Sequence, residues 1–163
     1  MKILQLCVFT NLWSPDHQVT SYDLKNNKDI FDIIPGQTDK YDLIISAPPC
    51  DQFTKANAPN WIDYPGQFIS IANHCFEIQT KSGTNWLLEN PPGRIEKFIP
   101  GLTKYRLLTW KDYTTNKEYI LYGNIMVMQN IVKRYGKEAI KRNKTTREMW
   151  RPDLIKDIEK SIL

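Results

Sequence analysis

The chain has no run approaching the roughly 18 consecutive apolar residues that a membrane-crossing helix needs. Its opening, Met1-Lys2-Ile3-Leu4-Gln5-Leu6-Cys7-Val8, turns polar too soon for a secretory leader. A cytoplasmic protein without a membrane partner is expected. Cysteine is scarce: Cys7, Cys50 and Cys75 stand in no paired spacing and form no C-x-x-C, so neither a disulfide framework nor a zinc site is implied. No metal is expected. The two histidines, His17 and His74, have no partner pattern, and the chain has no internal repeat, low-complexity tract or Pro/Gly-rich linker. What is present is ordinary for a folded chain: 163 residues, 41% hydrophobic, 25% charged and 12% aromatic. That suffices for one sheet-centred core but not a comfortable second, so a single domain over 1–163 is the expectation.

The net charge is +4, but it is unevenly spread. Between positions 133 and 151 the eight basic residues Lys133, Arg134, Lys137, Lys141, Arg142, Lys144, Arg147 and Arg151 face only Glu138 and Glu148. Such a segment suits either a solvated face or a phosphate-contacting surface.

Hydrophobic patterning places strands at Ile3 to Phe9, Val19 to Leu24, Tyr41 to Ser46 and Asn85 to Leu88, with further strands near Tyr105–Leu108 and Tyr119–Tyr122. A helix is expected over Asp63–Lys81, ending before Gly83. A last one follows Pro152, with Leu154, Ile155, Ile158 and Ile162 on one face. The alternation implies an α/β domain with a largely parallel sheet and ligands at the carboxyl ends of strands. Only about ten residues join the first two strands, fewer than a helical crossover needs, so the first crossover is shortened. Cys7 and Cys75 read as core thiols, and Trp61, Trp86 and Trp110 as core or interface aromatics.

Two proline-fixed loops follow two apolar strands, and each carries one reactive side chain. Cys50 closes Ala47-Pro48-Pro49-Cys50, and Glu89 opens Glu89-Asn90-Pro91-Pro92-Gly93. Proline fixes φ and removes a donor, so these segments are stiff and hold a side chain at the sheet edge. A thiolate is the best nucleophile a protein has, and a carboxyl beside a ring can stabilise charge developing on it.

Asp42-Leu43-Ile44-Ile45-Ser46-Ala47-Pro48-Pro49-Cys50, taken with Leu88-Glu89-Asn90-Pro91-Pro92-Gly93-Arg94, resembles the nucleophile and glutamate motifs of DNA cytosine-5 methyltransferases, especially the short versions carried by phages. Thr115 to Asn124 is similar, more weakly, to a lysine-containing segment ending in Trp-Gly-Asn in those proteins. Lys144-Thr145-Thr146-Arg147 with Pro152 and the final helix is similar to their C-terminal segment. The resemblance implies a single Rossmann-like class I methyltransferase domain and transfer of a methyl group from S-adenosylmethionine to carbon 5 of cytosine in DNA. Cys50 would attack carbon 6, and Glu89 would contact ring nitrogen 3 and the exocyclic amine.

The resemblance assigns the cofactor to Phe9, Asp23 (on the ribose hydroxyls), Asp29 and Pro48. It assigns DNA to Asn90, Pro91, Arg94, Lys117, Lys141, Arg142 and Lys144, and the host cytoplasm as the compartment if the chain is phage-encoded. The family's large target-recognition region is missing, which implies low or borrowed sequence specificity. Where the family has Phe-x-Gly-x-Gly, this chain has Phe9-Thr10-Asn11-Leu12-Trp13-Ser14-Pro15, without glycine. That departure favours one alternative, a fold-keeping protein without turnover that serves as a DNA-binding or decoy factor. Methylation of a free pyrimidine nucleotide or of RNA is a second. Amino-group methylation is a third, although Cys50 stands where that chemistry places an aromatic.

Overall fold

The computed structural model describes residues 1–8, 13–112, 117–125, 156, 158–160 and 162. Its strands are β1 (Lys2–Leu6), β2 (Gln18–Tyr22), β3 (Leu43–Ser46), β4 (Asn85–Asn90), β5 (Arg106–Asp112) and β6 (Lys117–Gly123), with a long helix α1 (Gly66–Lys81) between β3 and β4. They form one sheet in the order β2-β1-β3-β4-β6-β5. β1 to β4 are mutually parallel, and β6 runs antiparallel to both of its neighbours. This is the mixed α/β architecture with a mostly parallel sheet that the patterning implies. The shortened crossover is also there: Lys2 pairs with Gln18 in parallel, and no helix occurs among the described residues from 7 to 17. No helix among the described residues is long and apolar enough to cross a membrane.

Each face of the sheet carries its own core. Leu4, Leu6, Ile44, Trp86, Leu88 and Tyr122 face α1, whose Ile69, Ala72, Cys75 and Ile78 recur at helical spacing. Ile3, Leu43, Ile45, Leu87 and Leu121 face the other way, under Trp13, Ile158 and Ile162. Fully burying one such aliphatic side chain contributes about 1.5–3 kcal/mol. The chain moves from β1 to β2 in one direction across the sheet and from β2 through β3 to β4 in the other. Right-handed crossovers must then lie on opposite faces. Accordingly Trp13, in the first crossover, belongs to the second cluster, whereas Ile30, Ile33 and α1 belong to the first.

The helix starts at Gly66, later than the expected Asp63. Pro65 stands at its N-cap and disfavours helical geometry at Tyr64 before it. Gly83, at φ 69°, ends it as expected. Gln79 ties α1 to the sheet from a fully enclosed position. Its Oε1 accepts from Ser46 Oγ at 3.1 Å and its Nε2 donates to Leu87 O at 2.8 Å. At the carboxyl end of the chain, the predicted helix is seen at 156, 158–160 and 162; Pro152, Leu154 and Ile155 lie outside the described residues.

Tyr122 is buried, and its hydroxyl donates to Glu96 Oε1 at 2.9 Å. Burial first, then that hydrogen bond, pushes its phenol well above the ordinary range. As pH rises past the unfolded value near 10, the unfolded chain ionises while the folded one stays neutral, so stability falls from there upward. Tyr122→Phe is expected to lose about 0.5–1.5 kcal/mol at neutral pH and to flatten this alkaline decline. Chemical denaturation at neutral and alkaline pH measures both.

Candidate active site

β1 leads to β2 on one side while β3 lies on the other, so the carboxyl ends of β1 and β3 flank the point where the sheet order reverses. A cavity of about 560 Å³ opens there, walled by Cys7 after β1, Asp23 after β2, Ala47 and Pro49 after β3, and Ile71 of α1. Its volume lies within the range of about 300–1,000 Å³ typical of small-molecule sites.

Asp23 and Asp29 both line the cavity, and both also cap 3-10 turns. Asp23 Oδ1 accepts from Lys25 N at 2.8 Å, and Asp29 Oδ1 accepts from Phe31 N at 3.0 Å. A carboxylate has about four acceptor positions, so one capping bond leaves it able to bind a ligand. Leu24, next to Asp23, and Phe31, two residues beyond Asp29, are 70% and 51% exposed and form apolar lips on the same cavity. His74 of α1 holds this wall in place. Its Nε2 lies 3.0 Å from Ile30 O and 3.1 Å from Ile33 O, which makes it the protonated nitrogen, and its ring packs on Phe31 at 4.8 Å.

The turn after β1 begins at Cys7, whose φ of 55° is left-handed, and Cys7 N donates to Tyr22 O at 2.9 Å. A non-glycine residue held there carries on the order of 1–3 kcal/mol of strain. Cys7 is therefore half-buried cavity wall, where the apolar pattern reads core; Cys75 is fully buried as expected. Phe9 lies outside the described residues.

The loops bearing the reactive pair are stitched together. The Cys50 carbonyl accepts from both Phe53 N and Thr54 N at 2.8 Å, so the half-buried Cys50 heads a tight turn. Lys55 N donates to Pro92 O at 3.0 Å, and Arg94 N to Phe53 O at 2.9 Å. A Cβ on Gly93 would lie 1.6 Å from Phe53 O, which only glycine avoids. Asn90 is fully buried: its Nδ2 donates to Pro48 O at 3.1 Å, and its Oδ1 has no hydrogen-bond partner among the described residues. Pro48 is itself buried, and it is its neighbours Ala47 and Pro49 that reach the cavity wall.

Glu89 sits inside β4, not in the loop after it, opposite Leu121 of β6 and half-buried; Pro91 follows the strand. Cys50 and Glu89 are not among the cavity's lining residues. Arg94, assigned to DNA by the resemblance, is engaged by its own protein. Its guanidinium donates to Gln52 O at 2.8 Å and to Ile62 O at 2.6 Å, and lies over the Trp61 ring at 4.6 Å. Lys117 opens β6, and because Asn90 pairs with Ile120 its backbone reaches the same sheet edge. Lys141, Arg142 and Lys144 lie outside the described residues.

A switch-point cavity thus lies at the carboxyl end of β3, whose following loop carries Cys50, and Glu89 stands in the neighbouring parallel strand β4. No protein-family model matches the chain, and no curated protein matches it.

Proposed function

We propose that this protein is a minimal DNA cytosine-5 methyltransferase of the Rossmann-like class I type. The observation that carries the reading is the continuity of Pro49 and Cys50: one lines the cavity, and the next residue is the thiol heading the adjoining turn. The sheet order, with a mostly parallel set of strands and a cavity at the switch point, is compatible with that class.

The cavity fits S-adenosylmethionine in kind. Two carboxylates suit ribose hydroxyls and an adenine amine, and the exposed Leu24 and Phe31 suit the faces of a planar ring. Asp23 would hold the ribose, and Asp29, Leu24 and Phe31 the base. The cofactor, when bound, supplies the methyl group. The protein's own residues act on the cytosine. Cys50 Sγ forms a bond to carbon 6, which breaks the 5,6 double bond and makes carbon 5 electron-rich. Glu89 holds nitrogen 3 and the exocyclic amine, stabilising the charge that develops on the ring. Once carbon 5 has spent that electron pair on a bond to the methyl carbon, loss of the carbon 5 proton restores the double bond and expels Cys50 as the thiolate. In duplex DNA the target base has to leave the stack to reach the pair. With no recognition domain, base specificity is low or borrowed.

Calorimetric titration with S-adenosylmethionine tests the cavity assignment. Asp23→Ala removes hydrogen bonds to a charged acceptor worth about 1.5–3 kcal/mol each. It is expected to weaken binding at least about tenfold and, by removing the cap on Lys25 N, to cost about 0.5–2 kcal/mol of stability. Unchanged affinity would place the adenosine elsewhere. No binding by the wild type would turn the reading toward a fold-keeping DNA-binding or decoy factor.

A further inference from the structure

The segment that follows Cys50 closes on itself. Gln52 Oε1 accepts from Ile62 N at 3.0 Å, and Gln52 Nε2 donates to Asn60 O at 3.2 Å. Trp61 Nε1 donates back to Thr54 O at 3.1 Å. This is an Ω-type loop, whose ends meet and whose own side chains pack it. Arg94 bridges the closure from outside. Its Nε donates to Gln52 O at 2.8 Å, and its Nη2 donates to Ile62 O at 2.6 Å and to Gln52 Oε1 at 3.3 Å. The guanidinium also lies over the Trp61 ring at 4.6 Å and the Phe98 ring at 5.3 Å. Its backbone is pinned too, because Arg94 N donates to Phe53 O and Gly93 bridges Thr54. A donor group spent on these oxygens and laid on two rings has little left for a phosphate.

We propose that Arg94 is a positioning residue for Cys50: it holds closed the loop that starts at the Cys50 turn, so that the thiol is presented in one orientation, and it is not a DNA contact. The link to Cys50 is short. The Cys50 carbonyl accepts from Phe53 N and Thr54 N, and Gln52 lies between Cys50 and those amides. Gln52 is thus fixed on one side by the Cys50 turn and on the other by the Arg94 fork. Attack on a ring carbon needs the sulfur at a set distance and angle, and a displacement of about 1 Å can cost about 10²-fold in rate. Lysine would keep the charge and lose the fork, since one ammonium cannot reproduce a planar spread of donors across Gln52 and Ile62. The proposal rests on the reading of Cys50 as the nucleophile; the loop closure does not.

The test compares Arg94→Lys with the wild type, as full chains, in two assays. Hydrogen exchange reads the loop: peptides covering residues 50–62 should exchange at least about tenfold faster in the variant, while those of α1 and β4 match the wild type. Covalent capture reads the chemistry: with S-adenosylmethionine and saturating DNA carrying 5-fluorocytosine, the adduct should form on the order of 10²-fold more slowly. Affinity for that DNA without the cofactor, and its salt dependence, should not change. Arg94→Gln should behave in the same way. Should Arg94→Lys fail to fold, Gln52→Met, which keeps Arg94 and cuts the side-chain closure onto Ile62 N, is read in the same assays and should show the same pattern. Unchanged exchange over residues 50–62, or an adduct rate in Arg94→Lys equal to that of the wild type, overturns the proposal. So does weaker DNA binding by Arg94→Gln with a salt slope flatter by about 0.9, the mark of a phosphate contact. A wild type that forms no adduct overturns the methyltransferase reading and not the loop closure, which hydrogen exchange decides by itself.

Discussion

Cys50→Ser is expected to leave the fold intact and to reduce methyl transfer to cytosine-containing DNA by at least about 10³-fold, on the order of 4 kcal/mol of barrier. The residue is half-buried, and it anchors its turn through the backbone carbonyl that accepts from Phe53 N and Thr54 N. Serine retains that carbonyl and removes only the soft nucleophile. A direct readout is covalent capture. With S-adenosylmethionine present, DNA carrying 5-fluorocytosine should form a complex with the wild type that survives denaturation, because fluorine at carbon 5 cannot leave as the proton does. Cys50→Ser should form none. An adduct that persists in the serine variant, or one that maps to Cys7, would remove Cys50 from the reaction.

Gly93→Ala is expected to be the most destabilising small substitution at the site, by about 3 kcal/mol or more. Its Cβ would meet Phe53 O at 1.6 Å, and backbone cannot yield as a flexible side chain does. The two loops would have to part, at the expense of the Lys55 N–Pro92 O and Arg94 N–Phe53 O hydrogen bonds, worth about 0.5–1.5 kcal/mol each. Phe53, fully buried between Phe68 and Phe98, would shift with them. At about 2–4 °C per kcal/mol for a chain of this size, the melting temperature should fall by roughly 6–12 °C. Gly66→Ala is the control: it sits in the first turn of α1 with only ordinary contacts near its Cβ position. It should be neutral, or stabilising by up to about 1 kcal/mol. Equal losses at the two positions would mean that the loops are not held by close approach.

Much of the site was legible locally. The apolar run ending at Ser46 is β3, and the proline loop it feeds does bring Cys50 to the sheet edge. Asp23 and Asp29 came from the resemblance, and they line one cavity while capping 3-10 turns. Glu89 was misplaced into a loop because its strand pairing comes from β6, some thirty residues on, through Glu89 opposite Leu121 and Asn90 opposite Ile120. No local pattern reports a ladder whose partner is that distant. Arg94 was assigned to DNA by the resemblance, yet Gln52, Ile62 and Trp61 take up its guanidinium. The missing glycines drew attention to residues 9–15, while the left-handed turn residue is Cys7. A cysteine in that conformation has no sequence signature.

By itself the sequence determined the α/β class, the parallel strands β1 to β4, the short first crossover and the two stiff loops. Each follows from hydrophobic period, chain length or proline stereochemistry acting within a few residues. The tertiary structure decided the rest: β6 inserted in reverse between β4 and β5, the cavity at the reversal of strand order, and the closure of one loop on another at Gly93. These depend on which distant segments pack together, and such contacts are set by burial over the whole core, not by any local run of residues.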